Sequence, residues 1–434
     1  MTTALQRDIA HVEDFLQSPS GFLRHLFSVA VNAVDPMLLV PQHLPPAPKG
    51  RTIVIGAGKA SARMALAVER YWTGSLEGLV VTRYGHGEPC EKIEIAEAGH
   101  PVPDSAGEAC AKRMLGMLHG LTSDDLVIAL ISGGGSALLS LPADGLSSEE
   151  KRKINKALLL SGATIQEMNC VRSHLSQVKG GRLAMAAFPA KVVTLVVSDV
   201  PGDDPGVVAS GPTIPNASAP ADALAILDKY AIPVSDACRK ILQSGSNQAP
   251  ASIHAQLGQN TTKVIATAQQ ALDAATRAAR NHGYTPLVLG NSIEGEARDI
   301  ALMHAAIARQ IVEHKQPIER PCVILSGGET TVTVRGNGRG GRNAEFLLSL
   351  GIGLNGMPDV YAIACDTDGI DGTEDNAGCL LSPNSLARAR AMGLSPRALL
   401  QDNDGYGFFR ALGDLIVTGP TRTNVNDFRA ILIR

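Results

Sequence analysis

Aromatic residues make up only 3% of this 434-residue chain. Its cores must therefore be filled by Ala, Val, Leu and Ile, side chains small enough for helices to lie close over a sheet. Neither sign of charge is in excess. A formal net charge of −3 draws the whole molecule neither to nucleic acid nor to an anionic membrane, so any anion site must be a local cluster. The seven cysteines are scattered, without C-x-x-C pairs or histidines at zinc-finger spacing, which speaks against a disulfide framework and for a reducing compartment. No apolar run approaches the ~18 residues of a membrane helix. The opening MTTALQRDIAHVEDFL lacks the charged and apolar segments of an export signal. A cytoplasmic protein without a nucleic-acid or membrane partner is expected. No fixed-period repeat and no low-complexity tract occurs.

What is present fits two α/β domains. The length exceeds the ~250–300 residues at which single cores stop growing. Residues 4–35 read as amphipathic helix, and the Pro-rich 41–50 as a connector. Apolar strand-like runs follow at 52–58, 79–83, 93–99, 126–132 and 192–200, separated by helical stretches, among them 105–121 and 147–188. Continuous apolar strands alternating with helices predict a mainly parallel sheet covered on both faces, with ligands at its carboxyl edge. A polar, aperiodic stretch at 242–262 marks the boundary, giving domains 1–245 and 260–434. The second begins with strands at 263–268 and 286–290 and a helix over 293–315, and continues with strands at 361–369 and 414–421.

The most informative segment is VILSGGETTVTVRGNGRGGRNAEF, 323–346. It reads as a strand, a turn with Gly327, Gly328 and Glu329, a second strand, and a glycine-rich loop carrying Arg335, Arg339 and Arg342 into a helix. Bare backbone amides beside guanidinium forks suit phosphate or carboxylate oxygens; the alternative is a surface loop with solvated arginines. GAGKAS (56–61) sits at a strand-to-helix turn. It lacks the spacing of a Walker A loop and, with Ser61 third, does not complete G-x-G-x-x-G, though Lys59 and helix amides still suit an anion. SGGGSA (132–137) offers Ser132, Gly133, Gly134, Gly135 and Ser136 as an anion cradle, or else a close helix–strand crossing. In MNCVRSHLSQVKGGRLA (168–184), a helix running to Gly180 would put Arg172, Ser176 and Lys179 on one ridge with Asn169. Asp199 ends a strand ahead of Asp203 and Asp204; Asp366 and Asp368 do so ahead of Asp371. Such carboxylates serve as Mg²⁺ ligands, as a base, or in Asx turns. His100 and His174 are read as structural.

These segments, with GHPVPD (99–104), SDVPGDDPGVVASGPT (198–213) and TGPTRTNVND (418–427), resemble the class II glycerate 2-kinase family, whose C-terminal part carries a MOFRL domain. Ser173 departs from that pattern, standing where a basic residue is expected. The resemblance implies a larger Rossmann-like N-terminal domain, a smaller α/β C-terminal one, and an active site in the cleft between them. It implies ATP- and Mg²⁺-dependent phosphorylation of D-glycerate to 2-phosphoglycerate, with a homodimer as an option. Lys59 and Arg342 then divide two tasks, charge on the transferred phosphoryl group and the substrate anion. The 132–136 loop, Gly327, Gly328, Glu329 and Arg339 serve the nucleotide; Arg172 and Lys179 serve glycerate or phosphate. Asp199, Asp366 and Asp368 are candidates for metal, with Asp199 also for base. Competing readings are an NAD(P)H-dependent hydroxypyruvate reductase, an older label in this family, and a non-catalytic sensor.

Overall fold

Runs of β-branched and aliphatic residues form the strands of the first unit, Pro36–Ala266. A computed structural model describes residues 18–245 and 257–434. In the first unit β1 (Thr52–Ala57), β2 (Glu77–Arg83), β3 (Ile93–Ala98), β4 (Leu126–Ser132), β5 (Lys191–Val197) and β6 (Thr261–Ala266) make one sheet in the order β3-β2-β1-β4-β5-β6. Every neighbouring pair is parallel. This is the strand order of doubly wound dinucleotide folds, with its topological switch between β1 and β4. The β1 and β4 residues are buried throughout, which explains their unbroken apolar character. Helices Ser105–Leu118 and Arg182–Ala187 close one core over the sheet. The first of these starts at Asp104, whose carboxylate accepts from Gly107 N at 3.1 Å, satisfying an otherwise orphaned amide.

The second unit combines the described residues 18–35 with Thr267–Arg434. Its strands are β7 (Thr285–Gly290), β8 (Gly295–Glu296), β9 (Cys322–Gly328), β10 (Thr330–Thr331), β11 (Val360–Asp366), β12 (Gly378–Leu381), β13 (Leu415–Ile416) and β14 (Asp427–Ile433). The main sheet runs β13-β12-β11-β14-β9-β7 and is mixed: only β7 and β9 pair in parallel. Helices Ala297–His314 and Arg342–Leu354 share a core with Ile324, Ala362, Ala364 and Ile431. The alternate strand residues face the other side, which helices Pro19–Ala33 and Ala268–Asn281 cover.

The division differs from the expected 1–245 and 260–434. β6 pairs with β5 and so completes the first sheet, while the helix Pro19–Ala33 belongs with the second. Residues 246–256 of the expected boundary, and 4–17 of the expected N-terminal helix, lie outside the described residues. Two expected strands shrink. After Glu329 only Thr330–Thr331 is a strand, and within 414–421 only Leu415–Ile416. Among the described residues no single helix is long and apolar enough to cross a membrane.

Candidate active site

In a parallel sheet all the strand ends of one sense share an edge, so the loops after β1, β4 and β5 emerge side by side. The first two are tied together at the switch point: Lys59 N donates to Gly133 O at 2.9 Å, and Ala60 N to Ser132 Oγ at 3.0 Å. Gly58 N donates to Val81 O, and Ser61 N to Gly58 O. All four amides of the β1 turn are therefore spent within the protein. Gly58 has φ +139°, and a Cβ there would stand 2.1 Å from Ser132 Oγ, so only glycine allows this crossing. The expected role of Ser132 is corrected accordingly. It is wholly buried and its hydroxyl braces the β1 turn instead of facing a ligand.

Among the described residues, the amides of Gly134, Gly135 and Ser136 meet no acceptor of the chain. Gly134 (φ +79°) is half-buried between two side chains. A Cβ on it would lie 3.0 Å from His100 Nε2 and 3.2 Å from Lys59 Cγ. Gly133 and Gly135 are buried. Gly135 fits under Ala57 O, which a Cβ would approach to 2.8 Å, so the close helix–strand crossing is its reason. Gly134, Ser136 and Ala137 form one wall of a cavity of about 490 Å³. The turn His100–Pro103 forms the second wall. Arg152, Asn155, Lys156 and Leu159, one face of helix Ser148–Leu160, form the third, and Arg172 closes it. No acidic residue lines this cavity. His100, expected to be structural, thus reaches the site. Arg152 and Lys156 were missed in the sequence, although their i, i+4 spacing with Asn155 and Leu159 gave a signal.

The expected ridge of Arg172, Ser176 and Lys179 does not form. The helix is Ile165–His174. Beyond it Gln177 N donates to Leu141 O, and Leu175 O accepts from Ala143 N, so the chain is drawn into extended pairing with 141–143. Arg172 alone reaches the cavity. Its guanidinium contacts Met168 Sδ at 4.0 Å and makes no ion pair with a described residue; burial lowers its pKa. Lys179 is buried behind the loop, donating to Ser136 O at 2.8 Å and Ser136 Oγ at 3.1 Å. Burial and the neighbouring Lys151 and Arg172 hold its pKa well below the usual lysine range. Lys179 fixes the loop, and a direct grip on substrate is excluded by its position. Ser136 Oγ continues to Ser210 Oγ at 3.0 Å and Ser210 to Asn169 Oδ1 at 2.8 Å. Asp199 is half-buried two residues beyond β5.

The second unit has its own cluster, where the ends of β9, β11 and β14 meet; Asp366 and Asp427 are register partners. Arg342 opens helix Arg342–Leu354 and spreads its fork over three carboxylates: Asp427 Oδ1 at 2.7 Å, Asp366 Oδ2 at 2.8 Å and Glu329 Oε1 at 3.0 Å. Asp427 and Asp366 are the main charges raising the Arg342 pKa, against the effect of burial. Asp427 also holds the buried Arg429 and accepts from Asn343 Nδ2 at 2.8 Å. Asp371 caps the same helix, accepting from Asn343 N and Ala344 N at 2.9 Å each. Asn343, Asp371, Asp427 and Arg429 were not singled out as site residues.

The glycine-rich loop before Arg342 is not the bare-amide anion site expected of it. Arg335 N and Gly336 N donate to Asn403 Oδ1, Asn337 N to Asp402 Oδ1, and Arg339 N to Asp404 Oδ1. The glycines let 402–406 and Asp371 approach; a Cβ on Gly336, Gly338 or Gly341 would come within 2.5 Å of them. Arg339 pairs with Glu374 and lies 4.6 Å from the Tyr406 ring centroid. Gly327 and Gly328 are likewise packing positions. A Cβ on Gly328 (φ +120°) would meet Ile293 N at 2.2 Å. Asp366 is committed through both oxygens, to Arg342 and to Asp368 N at 3.0 Å. Asp368 is buried and accepts from Ile370 N at 2.8 Å, an Asx turn. Among the described residues no three His, Cys, Asp or Glu gather as a metal site. Asp366 and Asp368 therefore do not fit as an open metal site.

A doubly wound domain with a cavity lined by Arg152, Lys156 and Arg172, joined in sequence to a mixed-sheet unit, defines a two-unit α/β protein. Residues 22–243 match "Domain of unknown function (DUF4147)", and residues 322–427 the MOFRL family. The D-glycerate 2-kinase of Thermotoga maritima is 41% identical over 92% of this chain and 94% of its own length. A putative hydroxypyruvate reductase of Agrobacterium vitis is 51% identical over 95% and 94%. The crystal structure of the Thermotoga maritima glycerate kinase superposes with a TM-score of 0.84, covering 94% of this chain and 98% of that one. The chain belongs to the glycerate 2-kinase family of DUF4147–MOFRL proteins.

Proposed function

We propose that the protein transfers the terminal phosphoryl group of ATP to D-glycerate, giving 2-phosphoglycerate and ADP. The observation that carries this reading is the chemistry of the switch-point crevice. Gly134, Ser136, Arg152, Lys156 and Arg172 line it without a carboxylate, and Lys59 packs beside Gly134. Phosphoryl transfer needs positioning and charge neutralisation above all. Lys59 neutralises charge on the transferred group or holds the acceptor's carboxylate. Three of the five N–H donors of Arg342 are engaged, which holds it rigid and leaves two for a ligand. Asp199 takes the acceptor hydroxyl's proton or, with Mg²⁺ bound, holds the ion that screens the phosphate oxygens.

The Agrobacterium name favours a reductase, and the strand order suits a dinucleotide. Two features oppose it. The β1-turn amides that would hold a pyrophosphate are all spent on protein acceptors. Glu77, the acidic residue nearest the ribose spacing, begins β2 exposed, beside Ile53, while Ala57 at the turn aligns with Val81. It is therefore about 13 Å from the turn at ~3.3 Å per residue. The test is ³¹P NMR of the products from ATP, Mg²⁺ and D-glycerate, with NADH absorbance followed in parallel on hydroxypyruvate. Resonances of 2-phosphoglycerate and ADP are expected. Steady NADH oxidation without ADP release would reverse the assignment.

A further inference from the structure

The cavity of about 490 Å³ carries two surfaces that a three-carbon hydroxy acid cannot both use. One is cationic. Arg152 and Lys156 lie one helical turn apart, Arg172 faces them, and none of the three makes an ion pair with a described residue. The other is apolar. Val102 and Leu159 line the same space while 67% and 63% exposed. Large apolar side chains grouped beside a cavity mark a surface that a ligand covers. Glycerate is polar at every carbon. It would leave Val102 and Leu159 against water and most of the volume empty. A nucleotide is amphiphilic in the matching way, with a flat apolar base at one end and a polyanion at the other.

We propose that this cavity is the nucleotide seat. The polyphosphate lies along Gly134 and the Arg152, Lys156 and Arg172 side chains, and the base packs between Val102 and Leu159. This rests on the kinase reading and moves Arg172 from the acceptor acid to the nucleotide. The acceptor acid is then held outside this cavity.

The full-length protein is titrated with a fluorescent N-methylanthraniloyl ADP, and the Michaelis constants for ATP and glycerate are measured separately. Because Val102 and Leu159 are exposed, the double variant V102S/L159S keeps the fold, which a thermal melt checks. It should weaken binding of the labelled ADP and raise KM for ATP by about tenfold, as expected from losing two apolar contacts, with KM for glycerate unmoved. The variant R152Q/K156Q should weaken the labelled ADP roughly tenfold but leave competition by adenosine, which has no phosphate, unchanged. A raised KM for glycerate with nucleotide binding intact in both variants would overturn the proposal while leaving the kinase reading in place. Nucleotide binding that responds to both variants, in a protein that forms no phosphoglycerate, would uphold the seat and remove the kinase reading.

Discussion

Lys59 and Arg342 look alike as isolated cations in the sequence, and their surroundings separate them. The Lys59 amide ties the β1 turn to Gly133, and its side chain packs against Gly134. Lys59→Met leaves that backbone bond in place. Turnover should fall by about 10²–10³, the usual loss for one group that stabilises developing charge. Rate constants and a melt on the same preparation check this, and a variant retaining half its kcat would exclude Lys59 from the chemistry. Arg342 behaves otherwise. Asp427 and Asp366 are buried around it, and its loss removes a cation from beside both. Arg342→Gln should lower stability by about 3–5 kcal/mol, seen as a fall in the urea midpoint, so lost activity in that variant does not by itself show a catalytic arginine.

At the scale of elements, helix Ser148–Leu160 turns Arg152 and Lys156 to the cavity and buries Lys151 on its other side. Burial lowers the Lys151 pKa to about 7, with Glu108 opposing and Arg172 and Arg182 adding to the shift. Its ammonium donates to Leu141 O at 3.2 Å, a carbonyl that Ser176 Oγ and Gln177 N also reach. The unfolded chain binds this proton up to about pH 10.5 and the folded chain only to about 7. The penalty is therefore full below pH 7 and fades as pH rises to 10.5. Lys151→Met should stabilise by on the order of 4 kcal/mol at pH 6, less at each higher pH, and lose the advantage near pH 10.5. Unfolding midpoints across that range test the sign, and a gain that grows with pH would contradict it. Elements with a local signature were legible: β1 and β4 as unbroken apolar runs, the helix within 293–315, the turns at 58 and 134. Those defined by distant partners were not. β14, DFRAILI, lies between β9 and β11 in its sheet, yet its Asp427 and Arg429 hide a buried strand, because Asp427 is balanced by Arg429 and by Arg342, 85 residues away. The Arg172–Lys179 ridge failed for a related reason: helical spacing cannot reveal that 175–177 pairs with 141–143. The glycines at 336–341 pointed to close approach, but sequence alone does not say that 402–406, and not a phosphate, is what approaches.

On the scale of the whole molecule, chain order and structural unit part company at the N-terminus. Helix Pro19–Ala33 buries Phe22, Leu23, Leu26, Phe27 and Ala30, and packs on helix Ala268–Asn281 and on β11 and β14, more than two hundred residues away in sequence. Phe22 stacks on Tyr284 with centroids 4.7 Å apart, and Phe27 meets Phe428 of β14 at 5.9 Å. At about 1.5–3 kcal/mol for each large buried apolar side chain, this helix supplies a substantial part of one face of the mixed-sheet core in a chain poor in aromatics. The mixed-sheet unit is thus completed by a helix that precedes the first unit in the chain, and it cannot finish folding before its own strand β14 exists. The first unit, with its consecutive parallel strands, has no such dependence. Phe27→Ala should therefore act selectively: a loss of about 3–5 kcal/mol in hydrogen-exchange protection across β9, β11 and β14, with amides of β1, β4 and β5 keeping theirs. Exchange monitored by mass spectrometry on the intact chain resolves the two sheets, and equal loss of protection in β1 and β4 would show that the N-terminal helix supports the whole molecule instead of the one unit it packs against.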